Sequence, residues 1–166
     1  MQKRQLVHAF ILALFVAGTA TAMDTPNPKP DPKDPDKTSS ATDQTLEQGR
    51  AAIARQDWSG AQGLLRTAVE RNPQSADAHN LYAFSMRKGP NPAMDQVFRH
   101  YNEALRLDPK HRGAHEYIGE AYLMTGNVAK AKEHLAQLDK LCSSGCTEQA
   151  ELKKEITTFE RQHASK

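Results

Sequence analysis

Between His111 and Leu138 the apolar residues recur at helical intervals. Tyr117, Ile118, Ala121, Tyr122, Val128, Leu135 and Leu138 fall at spacings of 1, 3, 4 and 7, the pattern of buried helix faces. Thr125-Gly126-Asn127 interrupts it with a turn signal. The stretch therefore predicts two amphipathic helices joined by a tight turn. Gly119 and Ala131 stand where these helices cross, and the missing side chain at Gly119 lets the partner helix approach.

The same pattern recurs twice upstream, and an internal period takes precedence over other signals. Gly49 and Ala61 lie 12 residues apart, as do Gly119 and Ala131. Gln56-Asp57-Trp58-Ser59-Gly60-Ala61 lies over Gly126-Asn127-Val128-Ala129-Lys130-Ala131. A middle copy places Ala83 34 residues after Gly49, and its Val97, Tyr101 and Ala104 match Ala61, Leu65 and Ala68. Two extra residues in its turn, Lys88-Gly89-Pro90-Asn91-Pro92, lengthen the next period to 36. Asn72-Pro73 and Asp108-Pro109 end helices, because the residue before proline is pushed out of the α region. Helices are predicted near 43–56, 58–71, 75–88, 93–107, 111–125 and 128–142. A seventh starts at Thr147 or Glu148, with a hydroxyl N-cap and an early acid suited to the helix dipole. Leu152, Ile156 and Phe159 form its single apolar stripe, as expected of a helix that closes the end of a stack.

Residues 42–142 resemble the tetratricopeptide repeat family in three copies. The resemblance is carried by the small residue of each first helix (Gly49, Ala83, Gly119), by the residue opening each second helix (Ala61, Val97, Ala131) and by the closing Pro73 and Pro109. Ser143 stands where the third copy would have its proline. The resemblance implies an all-α fold, a right-handed superhelix of three helical hairpins at 42–75, 76–111 and 112–143, capped by a helix over 147–162. It further implies a concave groove that binds a partner polypeptide and no reaction. Carried over position by position, the groove would be lined by Leu46, Arg50 and Ile53, then Asn80, Phe84 and Arg87, then Glu116, Glu120 and Leu123, with Tyr117 at its edge. On this placement Arg50, Asn80 and Arg87 make a basic end and Glu116 and Glu120 an acidic one. The acids oppose the Lys and Asn clamp with which the family holds acidic carboxy-terminal tails. Phe84, flanked by Arg50 and Arg87, is expected to be the exposed anchor of the interface.

Ahead of the repeats, Met1 to Ala22 has the organisation of a cleaved secretory signal. Lys3 and Arg4 lead an apolar run from Leu6 to Ala17, and Ala20-Thr21-Ala22 fits the cleavage site. A run of twelve residues is too short to span a bilayer, so cleavage is expected rather than a retained anchor, with no membrane insertion afterwards. A bacterial periplasm is the expected location, with secretion as the alternative. Residues 23–41 read as a disordered linker, since Pro26, Pro28, Pro30, Pro32 and Pro35 alternate with Asp and Lys and no large apolar residue is present after Met23. The folded module is expected from Thr42 to His163.

Loss of Lys3 and Arg4 lowers the basic count from 22 to 20, equal to the 20 acidic residues. With no net charge and no basic stripe, nucleic-acid binding is excluded. Cys142 and Cys146, the only cysteines, are spaced CSSGC, and an even count in an exported chain predicts a disulfide. The competing reading makes them a thiol or Cu(I) pair in an accessory protein, since soft thiolates suit that ion. His111 and His115 share a helix face, but His115 repeats His79 one copy earlier, which points to packing or a hydrogen bond and not to a metal. His100, His134 and His163 fall on polar stretches. Ser39, Ser59, Ser85 and Ser165 have no neighbouring base, no glycine-rich phosphate loop exists, and the carboxylates are interleaved with Lys and Arg. Neither catalytic residues nor a cofactor are expected.

Overall fold

Helix-forming runs punctuated by capping residues build the chain as a succession of hairpins. The computed structural model describes residues 35–164, with side chains from residue 44. All of them belong to the unit Lys33–Lys166, one of two into which the chain divides. The expected signal segment and linker residues 23–34 lie outside the described residues. Seven helices follow: α1 (Pro35–Ala54), α2 (Trp58–Arg71), α3 (Ala76–Lys88), α4 (Met94–Leu107), α5 (Arg112–Met124), α6 (Val128–Leu141) and α7 (Thr147–His163). Among the described residues there is no strand.

Local chemistry sets most of the boundaries. Asp57, Ser75 and Asn127 each accept a backbone N–H from three residues on, at 2.9, 3.2 and 3.1 Å, and so start α2, α3 and α6. His111 does the same for α5, its Nδ1 accepting from the Ala114 amide at 3.2 Å. The turn of the third hairpin needs a left-handed residue, supplied by Gly126 at φ 77°. Gln56 fills the equivalent place in the first hairpin at φ 58°, where a side chain is strained.

One boundary and one cap differ from the expectation. α1 begins at Pro35, within the stretch read as linker, because proline is already set for the first helical position and its missing N–H is not needed there. α7 has no side-chain cap: Thr147 is its first residue, and Cys146 stands at the cap position in extended backbone, φ −152°.

The hairpins are α1–α2, α3–α4 and α5–α6, and each second helix packs on the next first helix. Successive odd-numbered helices also touch (α1 with α3, α3 with α5, α5 with α7), whereas α2, α4 and α6 do not touch one another. The odd helices are therefore the crowded, inner side of the stack. Ala61, Leu65 and Ala68 of α2 and Val97, Tyr101 and Ala104 of α4 are all fully buried, as the repeat register requires. Leu152 and Ile156 of α7 are buried with them.

Gly119 has a different neighbour from the expected one. A methyl there would sit 2.7 and 2.8 Å from the two ends of Leu152, so it is α7 whose approach the glycine permits, not α6. Gly49 plays the expected role within its own hairpin, with Leu65 of α2 2.6 Å from its missing Cβ.

Two of the histidines read as scattered, His100 and His134, turn out to be partners of the recurring His79 and His115. His79 of α3 meets His100 of α4 through their Nδ1 atoms at 2.9 Å, and His115 of α5 meets His134 of α6 in the same way at 3.0 Å. His79 Nε2–H donates to the Pro73 carbonyl and His115 Nε2–H to that of Pro109, both at 3.1 Å. A carbonyl only accepts, so Nε2 of the first imidazole in each pair carries a proton, and a single N–H lies between the two Nδ1 atoms. Burial, followed by the neighbouring His115, holds the His134 pKa down to about 4. Each pair clips one hairpin together.

Candidate functional site

On the inner side, α3 presents Asn80, Phe84 and Arg87, spaced so that all three fall on one helix face. α5 presents Glu116, Tyr117 and Glu120 opposite them. The Phe84 and Tyr117 rings lie 4.5 Å apart between centroids, and Trp58, at the start of α2, meets Phe84 edge-on at 6.1 Å. Trp58, Phe84 and Tyr117 thus form an aromatic row, each ring half-buried. Trp58 was not expected in this surface, because alignment placed it at a hairpin turn. Its position beside the aligned Phe84 follows only once the first hairpin is stacked on the second.

Arg87 is not the free cation that the sequence reading placed beside Phe84. Its side chain is only 5% exposed, and its Nη2 donates to Glu120 Oε2 at 2.5 Å. Its Nε donates to the buried Tyr101 hydroxyl at 3.3 Å, and its guanidinium lies 5.4 Å from the Phe84 ring centre and 5.9 Å from that of Tyr117. A buried guanidinium needs such partners, and the aromatic walls that shield it also bring Glu120 across from α5. Burial raises the Tyr101 pKa well above the ordinary range of a phenol, which keeps that hydroxyl protonated. Arg87 and Glu120 therefore tie α3 to α5 and are not opposite ends of a groove.

Arg50 is likewise engaged. Its Nη2 meets Asp77 Oδ2 at 2.6 Å and its Nε meets Glu47 at 3.1 Å. Asp77 also accepts from His111 Nε2–H at 2.9 Å. That hydrogen bond, then Arg50, holds the Asp77 carboxyl below its usual pKa against the opposing effect of burial.

Asn80 and Glu116 stand outside these ion pairs. Asn80 is 4% exposed, and its Oδ1 is buried with no donor in reach. Its amide faces the start of α5, with Nδ2 3.5 Å from the Cβ position of Gly113, one turn before Glu116. Glu116 is 9% exposed and makes no hydrogen bond or ion pair with any described residue. Burial, then Glu120, Glu148 and Glu151, pushes its pKa up to about 7, with Arg87 pulling the other way.

Further along the same side, a cleft of 410 Å³ opens between the ends of α3, α5 and α7. Leu123, Met124 and Phe159 give it an apolar floor, and Glu120, Glu155, Arg87 and Lys88 surround them. Met124 is 53% exposed, the single exposed large hydrophobic among the described residues. Met124 and Phe159 are further site residues that the alignment missed, since α7 was read only as a cap. The remaining expected positions, Leu46 and Ile53 on α1, pack partly buried against the first hairpin's core.

Cys142 and Cys146 lie at disulfide distance, with Cα atoms 5.6 Å apart, on the turn between α6 and α7. The bond fixes the entry of α7, and a bonded pair offers no thiolate to a soft metal.

A family profile described as Tetratricopeptide repeat matches residues 46–83 and 99–144, half of the chain. Solved structures share the fold at low identity. The TPR2B domain of yeast Sti1, in complex with pHsp70, is 17% identical with a TM-score of 0.65, covering 74% of this chain and 98% of that one. The Sgt2 domain from Aspergillus fumigatus is 21% identical with a TM-score of 0.64, covering 75% and 80% respectively. The type III secretion chaperone SycD of Yersinia enterocolitica, in complex with a peptide of the translocator YopD, is 13% identical with a TM-score of 0.61, covering 74% and 92%. No curated protein matches the chain.

Proposed function

Because the chain belongs to the tetratricopeptide repeat family, we propose that it is an exported interaction module that holds a segment of a partner polypeptide against α3, α5 and α7, without catalysis. The fold is typical of protein–protein interaction modules and chaperone-like scaffolds. The observation that carries the reading is the aromatic row of Trp58, Phe84 and Tyr117, half-exposed on the inner side and rigidly backed by the buried Arg87–Glu120 pair. Aromatic rings held in place in this way bind with little loss of side-chain freedom. The Sti1 and SycD structures support it, since both hold a partner on the same fold.

Export is supported by the charged lead and apolar run before Ala22 and by a cysteine pair at disulfide distance, since such bonds persist in oxidising compartments. Sequencing the amino terminus of the protein recovered from the cell envelope tests this part, and Met23 as first residue is expected. The binding claim is tested by co-purification of the tagged chain from its native cells. Phe84→Ala should lose a partner retained by the outer-helix control Arg99→Ala, with both variants melting as cooperatively as the parent. Equal retention by both would remove the aromatic row from the function.

A further inference from the structure

We propose that the cleft at the ends of α3, α5 and α7 is a two-fold interface on which a second copy of this chain docks, a surface additional to the aromatic row. The order of the helices sets its geometry. α5 touches both α3 and α7, whereas α3 and α7 do not touch each other. Within the cleft, therefore, Lys88 from the last turn of α3 stands on one flank and Glu155 of α7 on the other. Leu123 and Met124 of α5 lie between them.

Three observations point to a second copy. The first is the apolar centre. Met124 is 53% exposed, yet it is held from behind, because Arg87 Nη1–H donates to its Sδ at 3.8 Å. Phe159 is fixed as well, its ring stacked on that of His163 with 4.0 Å between centres. Apolar groups already held in place lose little freedom when they are covered.

The second is the pair of charges left over. Arg87 and Glu120 satisfy each other, and on α7 Glu151 takes Lys154 and Glu160 takes Lys132. Lys88 and Glu155 are exposed and make no ion pair with each other or with another described residue. The third is the symmetry of this arrangement. One charge of each sign, on opposite flanks of an apolar centre, matches itself under a two-fold rotation. Lys88 of each copy then meets Glu155 of the other, and the two Met124 side chains meet at the axis. A partner of a single charge sign would satisfy one flank and be repelled by the other. A cleft of 410 Å³ with two exposed ion pairs makes a small contact, so the dimer is expected to form at roughly 10–500 μM.

Sedimentation velocity on the protein as the cell processes it, from about 10 μM to about 1 mM, reads the association. The weight-average mass should rise toward that of two chains. Met124→Glu should hold it at one chain throughout, with the melting temperature unchanged because this side chain lies largely in water. Lys88→Glu and Glu155→Lys should each weaken association by about tenfold or more, since each sets like charges against one another twice. An equimolar mixture of these two variants should associate as the parent does, because the acids of one then face the lysines of the other. A parent that stays monomeric to about 1 mM overturns the interface and leaves the cleft to another polypeptide. Association that survives Met124→Glu overturns it too. If the mixture is as weak as either variant alone, or if both charge variants associate like the parent, the two-fold pairing is wrong. Phe84→Ala should associate as the parent does, since Phe84 does not line the cleft, so this interface and the partner groove fail separately.

Discussion

Replacing Arg87 with methionine removes a charge from the place where two repeats meet. The guanidinium is 5% exposed and bonds both Glu120 and the fully buried Tyr101 hydroxyl. Breaking one side of a buried ion pair costs about 3–5 kcal/mol, because the remaining charge stays in a poorly solvated place. Glu120 is 20% exposed and regains some water, which moves the expected loss to the lower end, about 3 kcal/mol. The orphaned Tyr101 hydroxyl adds about 1 kcal/mol or more. Methionine keeps most of the volume, so no large cavity contributes. In Arg87→Met/Glu120→Leu both charges are gone, and well-packed apolar replacements of a buried pair are roughly neutral. The double variant is therefore expected to recover most of what the single variant loses, a coupling of about 2 kcal/mol. Urea unfolding followed by circular dichroism on the four proteins measures it. If Arg87→Met alone loses less than about 0.5 kcal/mol, the guanidinium is solvated, as the sequence alignment first implied, and the backing of the aromatic row is wrong.

Three further outcomes follow from the fold. Gly119→Leu should destabilise by about 1–3 kcal/mol and release α7 first, seen as early hydrogen exchange over residues 147–163, because the new side chain meets Leu152; unchanged exchange in α7 would contradict that contact. The double serine variant of Cys142 and Cys146 should lose about 2 kcal/mol at most and keep its partner, whereas loss of binding with the fold intact would favour a thiol function. The pH dependence combines two opposing groups. His134, held near 4, stabilises the fold fully above its unfolded value of 6.5 and loses that contribution as pH falls toward 4. Glu116, raised from 4.5 to about 7, works the other way, favouring the fold at low pH and weakening it as pH rises through that window. Glu116→Gln should therefore gain stability more steeply than the parent between pH 5 and 7, and parallel urea midpoints would show that Glu116 is not raised.

The helical architecture was legible because periodicity and punctuation are local. Gly49, Ala83 and Gly119 with Ala61, Val97 and Ala131 set the register, and Asp57, Ser75 and Asn127 announce helix starts with their own side chains. The interior of the site was less legible, because its meaning lies between helices. Alignment put Arg87 on the inner face, but no spacing reveals that Glu120 swings across from α5 to bond it. The neighbour of Gly119 was misplaced for the same reason: the 12-residue period describes one hairpin, while Leu152 arrives from the helix after it. His100 and His134 looked unrelated since each lies on a second helix among polar residues, although the recurrence of His79 at His115 already marked one half of each pair. Trp58 and Phe159 join the surface only through stacking of successive units.

The claim on which the rest depends is that a partner polypeptide lies along the row of Trp58, Phe84 and Tyr117. A photo-reactive benzoylphenylalanine placed at Tyr117, with another at Arg99 on α4 as the outer reference, tests it inside the cell. Irradiation followed by mass spectrometry of the adducts reads out which chain touches each position. The account predicts one dominant adduct from Tyr117, mapping to a short segment of the partner, with none from Arg99. The same adducts from both positions, or none from Tyr117 in a properly folded protein, would contradict it.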